Sequence, residues 1–308
     1  MKPIENERRF VKEKGKEIDS YSKVKVKQMG HIVEVKHVLK TSSGLENLLK
    51  LSKTEYLNKD TGEVLEYKIN ENRGQNIAGV KRSIGQLRDI INNNFTGGEN
   101  ELFVTTTYAE NMTNVKQLYE DNKKFIMRLR YRYPYIEYIN TVEPQGRGAW
   151  HNHILIKDIT GKGLFIPHSE LKELWGHGFV WINKLKDVDN IGAYLSAYLA
   201  DIELTENNIK EIRERGGRQK FEIEEKEVKG ETKAYLKGAR LYLYPAGMNI
   251  YRQSKGIVKP DVTKMEYQDI KRIVGSDTPN YSRTITIYDG GDNVLNQITY
   301  EQYNLKRK

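Results

Sequence analysis

Residues 142–156 read Val-Glu-Pro-Gln-Gly-Arg-Gly-Ala-Trp-His-Asn-His-Ile-Leu-Ile and hold the densest chemistry in the chain. Two strands are expected to meet across the Gly/Pro-rich turn, one over 136–143 and one over 149–157. Side chains alternate between the faces of a strand, so His151 and His153 project side by side. Trp150, Ile154 and Ile156 then project from the other face into a core. Glu143 ends the first strand, within diagonal cross-strand reach of His151. Two imidazoles and one carboxylate on one face make a three-donor metal site with open positions, an arrangement typical of catalytic metals. The other four histidines, His31, His37, His168 and His177, have no obvious partner and read as surface or satisfied residues.

A second motif lies downstream. Residues 190–201 read Asn-Ile-Gly-Ala-Tyr-Leu-Ser-Ala-Tyr-Leu-Ala-Asp, and the Ala/Leu content predicts a helix with Asp187 or Asp189 as its N-cap. Tyr194 and Tyr198 then share a face, their Cβ atoms about 5–6 Å apart. With 20 tyrosines in the chain, one such spacing is expected by chance, so the pair gains weight only beside the histidine motif. Tyr131 and Tyr135 have the same spacing, but Pro134 breaks a helix there.

Together the two motifs resemble the HUH endonucleases, in particular the replication initiators of bacterial rolling-circle plasmids and phages. Residues 101–108, Glu-Leu-Phe-Val-Thr-Thr-Thr-Tyr, look like that family's first motif strand, and Glu-Pro-Gln-Gly-Arg-Gly-Ala-Trp-His-Asn-His looks like its metal-binding motif. Residues 237–256 are similar to the segment that follows the tyrosine helix in the Gram-positive branch. The resemblance spans roughly 100–260, with the histidines before the tyrosines, the order found in initiators rather than conjugative relaxases. Two positions depart from the pattern. Asn152 stands where a hydrophobic residue is usual, and Asp201 where a lysine is frequent. The resemblance implies Mg²⁺ or Mn²⁺ held by His151, His153 and Glu143, with Gln145 as the reserve third ligand. It implies Tyr194 and Tyr198 as nucleophiles that nick and rejoin single-stranded origin DNA through a 5′-phosphotyrosine bond. It also implies a host helicase and a single-strand-binding protein as partners. The nearest alternatives are a transposase or mobilisation relaxase of the same superfamily, and a non-catalytic origin-binding protein. A non-haem iron oxygenase shares the ligand types, but leaves the tyrosine helix and the basic charge without purpose.

These groups need a scaffold, and the patterning supplies one. A strand over 102–108, a helix with Val115, Leu118, Phe125 and Leu129 as its stripe, the histidine hairpin, a short helix stopped by Gly176 and a strand over 179–184 predict an α+β domain. Its centre is an antiparallel sheet flanked by helices. Arg147, Arg240, Arg252 and Lys255, interleaved with Tyr242, Tyr244 and Tyr251, are candidates for phosphate contact and base stacking. Residues 203–233 read as a charge-dense peripheral helix and insertion, and 240–244 as a strand. Three regions are expected. Residues 1–98 form an accessory, DNA-recognition region with a charged tail over 1–20, two hairpins, a helical stretch over 45–51 and an amphipathic helix over 80–93. Residues 99–260 carry the nickase, and 261–308 form an accessory region with a helix over 262–274 and a hairpin.

Composition limits the alternatives. The chain has 308 residues, net charge +9, and Lys/Arg throughout, which favours a polyanionic partner. It has no cysteine, which excludes disulfides and Cys-ligated zinc. The sequence shows no run long enough to span a membrane, no signal peptide and no phosphate-binding Gly-x-x-x-x-Gly-Lys-Ser/Thr loop. A cytoplasmic protein without its own ATP-driven helicase is expected.

Overall fold

The computed structural model describes residues 9–40, 48–52, 55–59, 61–66, 72–145, 148–185, 188–205, 222–228, 231–290 and 292–307. The chain forms two compact units, Asn70–Pro260 and a second one built from Met1–Ile69 with Asp261–Lys308.

The first unit is α+β. Its five-stranded antiparallel sheet runs in the order Val180–Lys184, Glu101–Thr107, Trp150–Asp158, Ile136–Pro144, Tyr251–Gln253. The period-two alternation of the strands gives the sheet two separate cores. On one face Val104, Trp150, Ile154 and Ile156 pack with Leu118, Phe125 and Leu129 of helix Val115–Arg132 and with Trp175 of helix His168–Trp175. On the other face Phe103, Ile139 and Leu155 pack with Leu87, Ile90 and Ile91 of helix Ile77–Asn94. Ile191, Leu195 and Leu199 of helix Ile191–Ala200, the tyrosine helix, join that second core.

Local signals explain the boundaries. Asn114 caps helix Val115–Arg132, its Oδ1 accepting from the amides of Lys116 and Gln117 at 2.9 and 3.1 Å. That helix stops just before Pro134, which disfavours helical backbone in the residue ahead of it. Gly176, at φ 72°, terminates helix His168–Trp175 in the left-handed conformation. Helices Ile77–Asn94 and Ile191–Ala200 approach closely at Gly192, where a Cβ would lie 2.6 Å from the carbonyl oxygen of Arg88. Asn190, rather than Asp189, caps the tyrosine helix by accepting from the Ala193 amide at 3.0 Å; the other expected cap, Asp187, lies outside the described residues.

Several expected elements differ. The charge-dense stretch expected as a helix and insertion holds a three-stranded antiparallel sheet of Ile202–Glu203, Glu231–Leu236 and Ile223–Val228, with 206–221 outside the described residues. Its lysines and glutamates pair across neighbouring chain segments, as Lys233 with Glu203 at 3.0 Å, so the dense charge is compatible with strands. Ala239–Leu243 is a 3₁₀ turn rather than a strand, because the chain enters it through Gly238 at φ 70°.

In the second unit, the two ends of the chain share one six-stranded antiparallel sheet. Its order is Arg9–Lys14, Tyr281–Tyr288, Val294–Asn304, Ile32–Val38, Lys23–Met29, Val262–Glu266. Both hairpins expected at 21–39 and 283–300 are present. Residues 9–14 form a strand against Tyr281–Tyr288 rather than a tail, and 1–8 lie outside the described residues. Val262–Glu266 is a strand rather than the start of a helix, because it completes the edge beside Lys23–Met29 and suits β-branched Val262 and Thr263. Leu48–Lys50 likewise pairs as a strand with Glu55–Asn58, in place of the expected helical stretch. Among the described residues no helix is long and apolar enough to cross a membrane.

Candidate active site

Strand register brings the predicted donors together. Glu143 pairs directly with His151, and Thr141 with His153, while His151 and His153 face Thr107 and Thr105 on the other neighbouring strand. The carboxylate of Glu143 crosses the ladder diagonally and accepts a hydrogen bond at Oε2 from Nε2 of His153, not from its directly paired His151. The other ring nitrogen of His153, Nδ1, lies 3.1 Å from Thr105 Oγ1, and the imidazole stacks on Phe103 at 5.6 Å between ring centroids. Thr105 and Phe103 therefore fix the ring so that Nε2 points at the carboxylate. The rings of His151 and His153 are 6.4 Å apart and inclined at 74°.

Glu143 is 7% exposed, and its other oxygen is held by Arg240, whose Nη1 pairs with Oε1. Burial on its own would raise the Glu143 pKa. The His153 hydrogen bond and the Arg240 charge outweigh it, with a smaller contribution from His151, and hold the carboxyl below its ordinary value. Arg240 reaches further. Its Nη1 donates to the carbonyl oxygen of Pro144 at 2.7 Å and its Nε to that of Asp201 at 2.9 Å. One nearly buried guanidinium thus ties the end of the glutamate strand to the residue that follows the tyrosine helix.

The chemistry of the donor set fits a hard-to-intermediate divalent cation. Glu143 Oε2 and His153 Nε2 converge, an oxygen and an imidazole nitrogen of the kinds such a cation accepts. Among the described residues, no group of three or more His, Cys, Asp or Glu side chains is disposed to hold a metal ion. His151 is in register, but its ring stands steeply inclined to that of His153.

The tyrosine helix lies on the same face of the sheet as the two histidines. Leu155, two residues after His153 and hence on its face, packs in the core that holds Ile191, Leu195 and Leu199. The helix start is fixed by Asn92, whose Oδ1 accepts from the Gly192 amide at 2.8 Å and whose Nδ2 donates to Asn190 at 3.1 Å. Its end is fixed by Asp201, which accepts from the Gly238 amide at 3.1 Å. Tyr194 is 43% exposed. Tyr198 belongs to the same helix, with its side chain outside the described residues.

Other predicted residues fall differently. Arg147 lies outside the described residues. Tyr242 and Tyr244 are buried, and the Tyr244 phenol donates to the carbonyl oxygen of Val142 at 2.8 Å, so neither offers a face for stacking. Both lie on the stretch that the 3₁₀ turn Ala239–Leu243 shapes, and Tyr244 packs against Trp150 of the hairpin at 6.0 Å between ring centroids. Arg240 is turned inward onto Glu143 rather than toward solvent. Arg252 and Lys255 are exposed, with the Arg252 guanidinium 4.0 Å over the Tyr119 ring. Gln145 closes the hairpin through its backbone, its amide donating to Ala149 at 2.7 Å. Asn152, fully buried between the histidines, points to the opposite face, where it accepts from Asn122 at 2.6 Å and donates to Thr106 at 3.0 Å. Its polarity is thereby explained, although no local pattern in the sequence marks Asn122 as its partner.

No curated protein and no solved structure matches the chain. Residues 101–203, which contain the histidine hairpin and the tyrosine helix, match the family model of the replication-associated protein ORF2, so the stretch holding both motifs is similar to replication-associated proteins.

Proposed function

We propose that the chain is a replication initiator of HUH type that nicks and rejoins single-stranded origin DNA. One observation carries this reading. The helix bearing Tyr194 and Tyr198 packs on the sheet face that presents His151 and His153, within a segment similar to replication-associated proteins. In this reading His151, His153 and Glu143 hold Mg²⁺ or Mn²⁺, which when bound polarises the scissile phosphate and offsets its charge. The phenolic oxygen of Tyr194 or Tyr198 forms a bond to phosphorus as the phosphorus–O3′ bond breaks. The phenol proton is passed to solvent, and the departing O3′ takes a proton from solvent to leave as a free 3′-OH. The resulting 5′-phosphotyrosine keeps the energy of the phosphodiester, so reversal by a 3′-OH reseals the strand without ATP. Arg240 keeps Glu143 charged and in place, and fixes the distance between the strand end and the helix end.

A second reading, an origin-binding protein without nuclease activity, draws on the engagement of both Glu143 oxygens by His153 and Arg240. Incubating the protein with single-stranded oligonucleotides and Mg²⁺, Mn²⁺ or EDTA separates the two. The nickase reading predicts a covalent protein–DNA adduct that forms with either metal, is absent in EDTA, and falls by about a hundredfold or more in His153→Ala. Binding without any adduct under all three conditions favours the second reading.

A further inference from the structure

On the opposite face of the same sheet end lies a cavity of about 790 Å³ that the nicking chemistry does not use. Its walls are the loop 109–114 after the first strand of the sheet and the turn 176–178 after helix His168–Trp175. The walls are built rigidly. The Ala109 amide donates to the His177 carbonyl oxygen at 2.9 Å, and at Gly178 a Cβ would lie 2.4 Å from the Thr107 carbonyl oxygen, so only glycine permits this approach. The loop is tied to the histidine strand through Trp150, whose amide donates to Met112 at 3.2 Å and whose indole donates to Thr113 at 3.0 Å.

Two features give the cavity a chemistry. First, an aromatic wall. Half-buried His177 sits 5.0 Å from the Trp175 ring and 5.7 Å from the Tyr108 ring, and Asp121 fixes it from behind at 3.5 Å from Nε2. Asp121 is itself buried and held by the Tyr108 phenol at 3.1 Å and Gln117 Nε2 at 2.7 Å. Such an Asp–His pair costs buried polar groups and orients a ring that still faces open space. Second, a polar rim. Glu110, Asn111, Asn114 and Gln117 line the cavity, and exposed Lys172 adds one cation. With Asn114 Oδ1 taken by the helix cap and Gln117 Nε2 by Asp121, Asn114 Nδ2 and Gln117 Oε1 are the groups that can meet the edge of a base.

The position of the cavity says which ligand it meets. Thr107, the residue before Tyr108, pairs with His151, and Trp150 precedes His151. The cavity and the two histidines therefore share one end of the sheet on its two faces, so a strand running from one to the other passes round that end. A volume of about 790 Å³ falls in the range of single-ligand pockets, roughly 300–1,000 Å³. We propose that this cavity takes one unstacked nucleobase of the single strand, flanking the cleavage point, with His177 as the stacking ring and the amides reading the base. The proposal rests on the nicking reading for the path of the strand, but its binding chemistry does not require cleavage.

The test is binding in EDTA, where cleavage cannot contribute. Fluorescence anisotropy would compare dA, dC, dG and dT homopolymer dodecamers and an abasic dodecamer, against wild type, His177→Ala and Lys172→Ala. The expected result is one homopolymer bound at least about fivefold more tightly than the abasic strand by wild type, a preference lost in His177→Ala. Lys172→Ala should weaken all five about equally, since a phosphate contact carries no base information. Circular dichroism and melting temperature verify that His177→Ala is folded. If they show otherwise, His177→Gln, which keeps a hydrogen-bonding group for Asp121 but no ring, replaces it with the same expectation. A preference unchanged by loss of the ring, or no preference at all in wild type, overturns the proposal. Base-selective, His177-dependent binding by a protein that never forms a tyrosine adduct would uphold the pocket and defeat the nicking reading.

Discussion

Two buried carboxylates face imidazoles at the same end of the central sheet, on opposite sides of it, and they are solvated in opposite ways. Glu143 is held by the charged Arg240 and by His153, and its pKa is held down despite its burial. Asp121 is held by neutral donors, the Tyr108 phenol and the Gln117 amide, with His177 further off at 3.5 Å. The first arrangement concentrates charge at a point where phosphate chemistry would need it. The second spends neutral hydrogen bonds on orienting a ring. The chemistry of such a site is therefore set less by its carboxylate–histidine pair than by what else the carboxylate touches.

The largest effect expected from that difference is on stability. Arg240→Gln leaves Glu143 buried without its cation and should destabilise the unit by about 3 kcal/mol, measured by urea denaturation. Asp121→Asn keeps one acceptor oxygen, for the phenol or for Gln117 but not both, and should lose less, about 1–2 kcal/mol. If the second loss exceeded the first, the contrast between a charged and a neutral cradle would be broken.

The histidine strand itself offers the next test. Asn152→Leu leaves Asn122 and Thr106 without their buried partner and should destabilise by about 1–3 kcal/mol. Replacing Asn122 by Leu as well should recover part of that loss, because an apolar pair leaves fewer unmet groups. A double variant that is worse by the sum of both single losses would show that the amides do not act as a pair.

The smallest effect concerns pH. Burial, then the Asp121 charge and its hydrogen bond, raise the Tyr108 pKa above the ordinary value of about 10. The unfolded phenol ionises near that pH while the folded one stays neutral. Its contribution is therefore intact below about pH 10 and is lost as pH rises further. Tyr108→Phe should accordingly flatten the alkaline decline in melting temperature and leave the profile near neutrality unchanged in shape.

What can be read from the sequence is whatever repeats locally. The period-two alternation of 150–156 places His151 and His153 on one face, and Gly176 and Pro134 mark helix ends, because strand pleat and backbone sterics act over a few residues. Arg240 is legible as a cation but not as the partner of Glu143, since that contact depends on how Gly238 turns a distant segment under the hairpin. His177 shows no partner in the sequence for the same reason: Asp121 reaches it only once two helices have packed on the sheet. Val262–Glu266 reads as helical because its strand identity comes from the edge of Lys23–Met29, formed at the other end of the chain. Charge-dense Ile223–Val228 misleads in the opposite way, because its strand identity comes from pairing with Glu231–Leu236 rather than from any alternation of its own.

The central claim is that a phenol of the tyrosine helix attacks a phosphodiester held by the histidine hairpin, and one measurement addresses it directly. Wild type, Tyr194→Phe, Tyr198→Phe and the double variant are incubated with Mn²⁺ and a library of single-stranded oligonucleotides, and covalent adducts are mapped by mass spectrometry. Wild type should carry a 5′-phosphotyrosine on one or both of these residues, and the double variant should show no adduct and no nicking. Nicking that continues undiminished when both phenols are gone would contradict the claim.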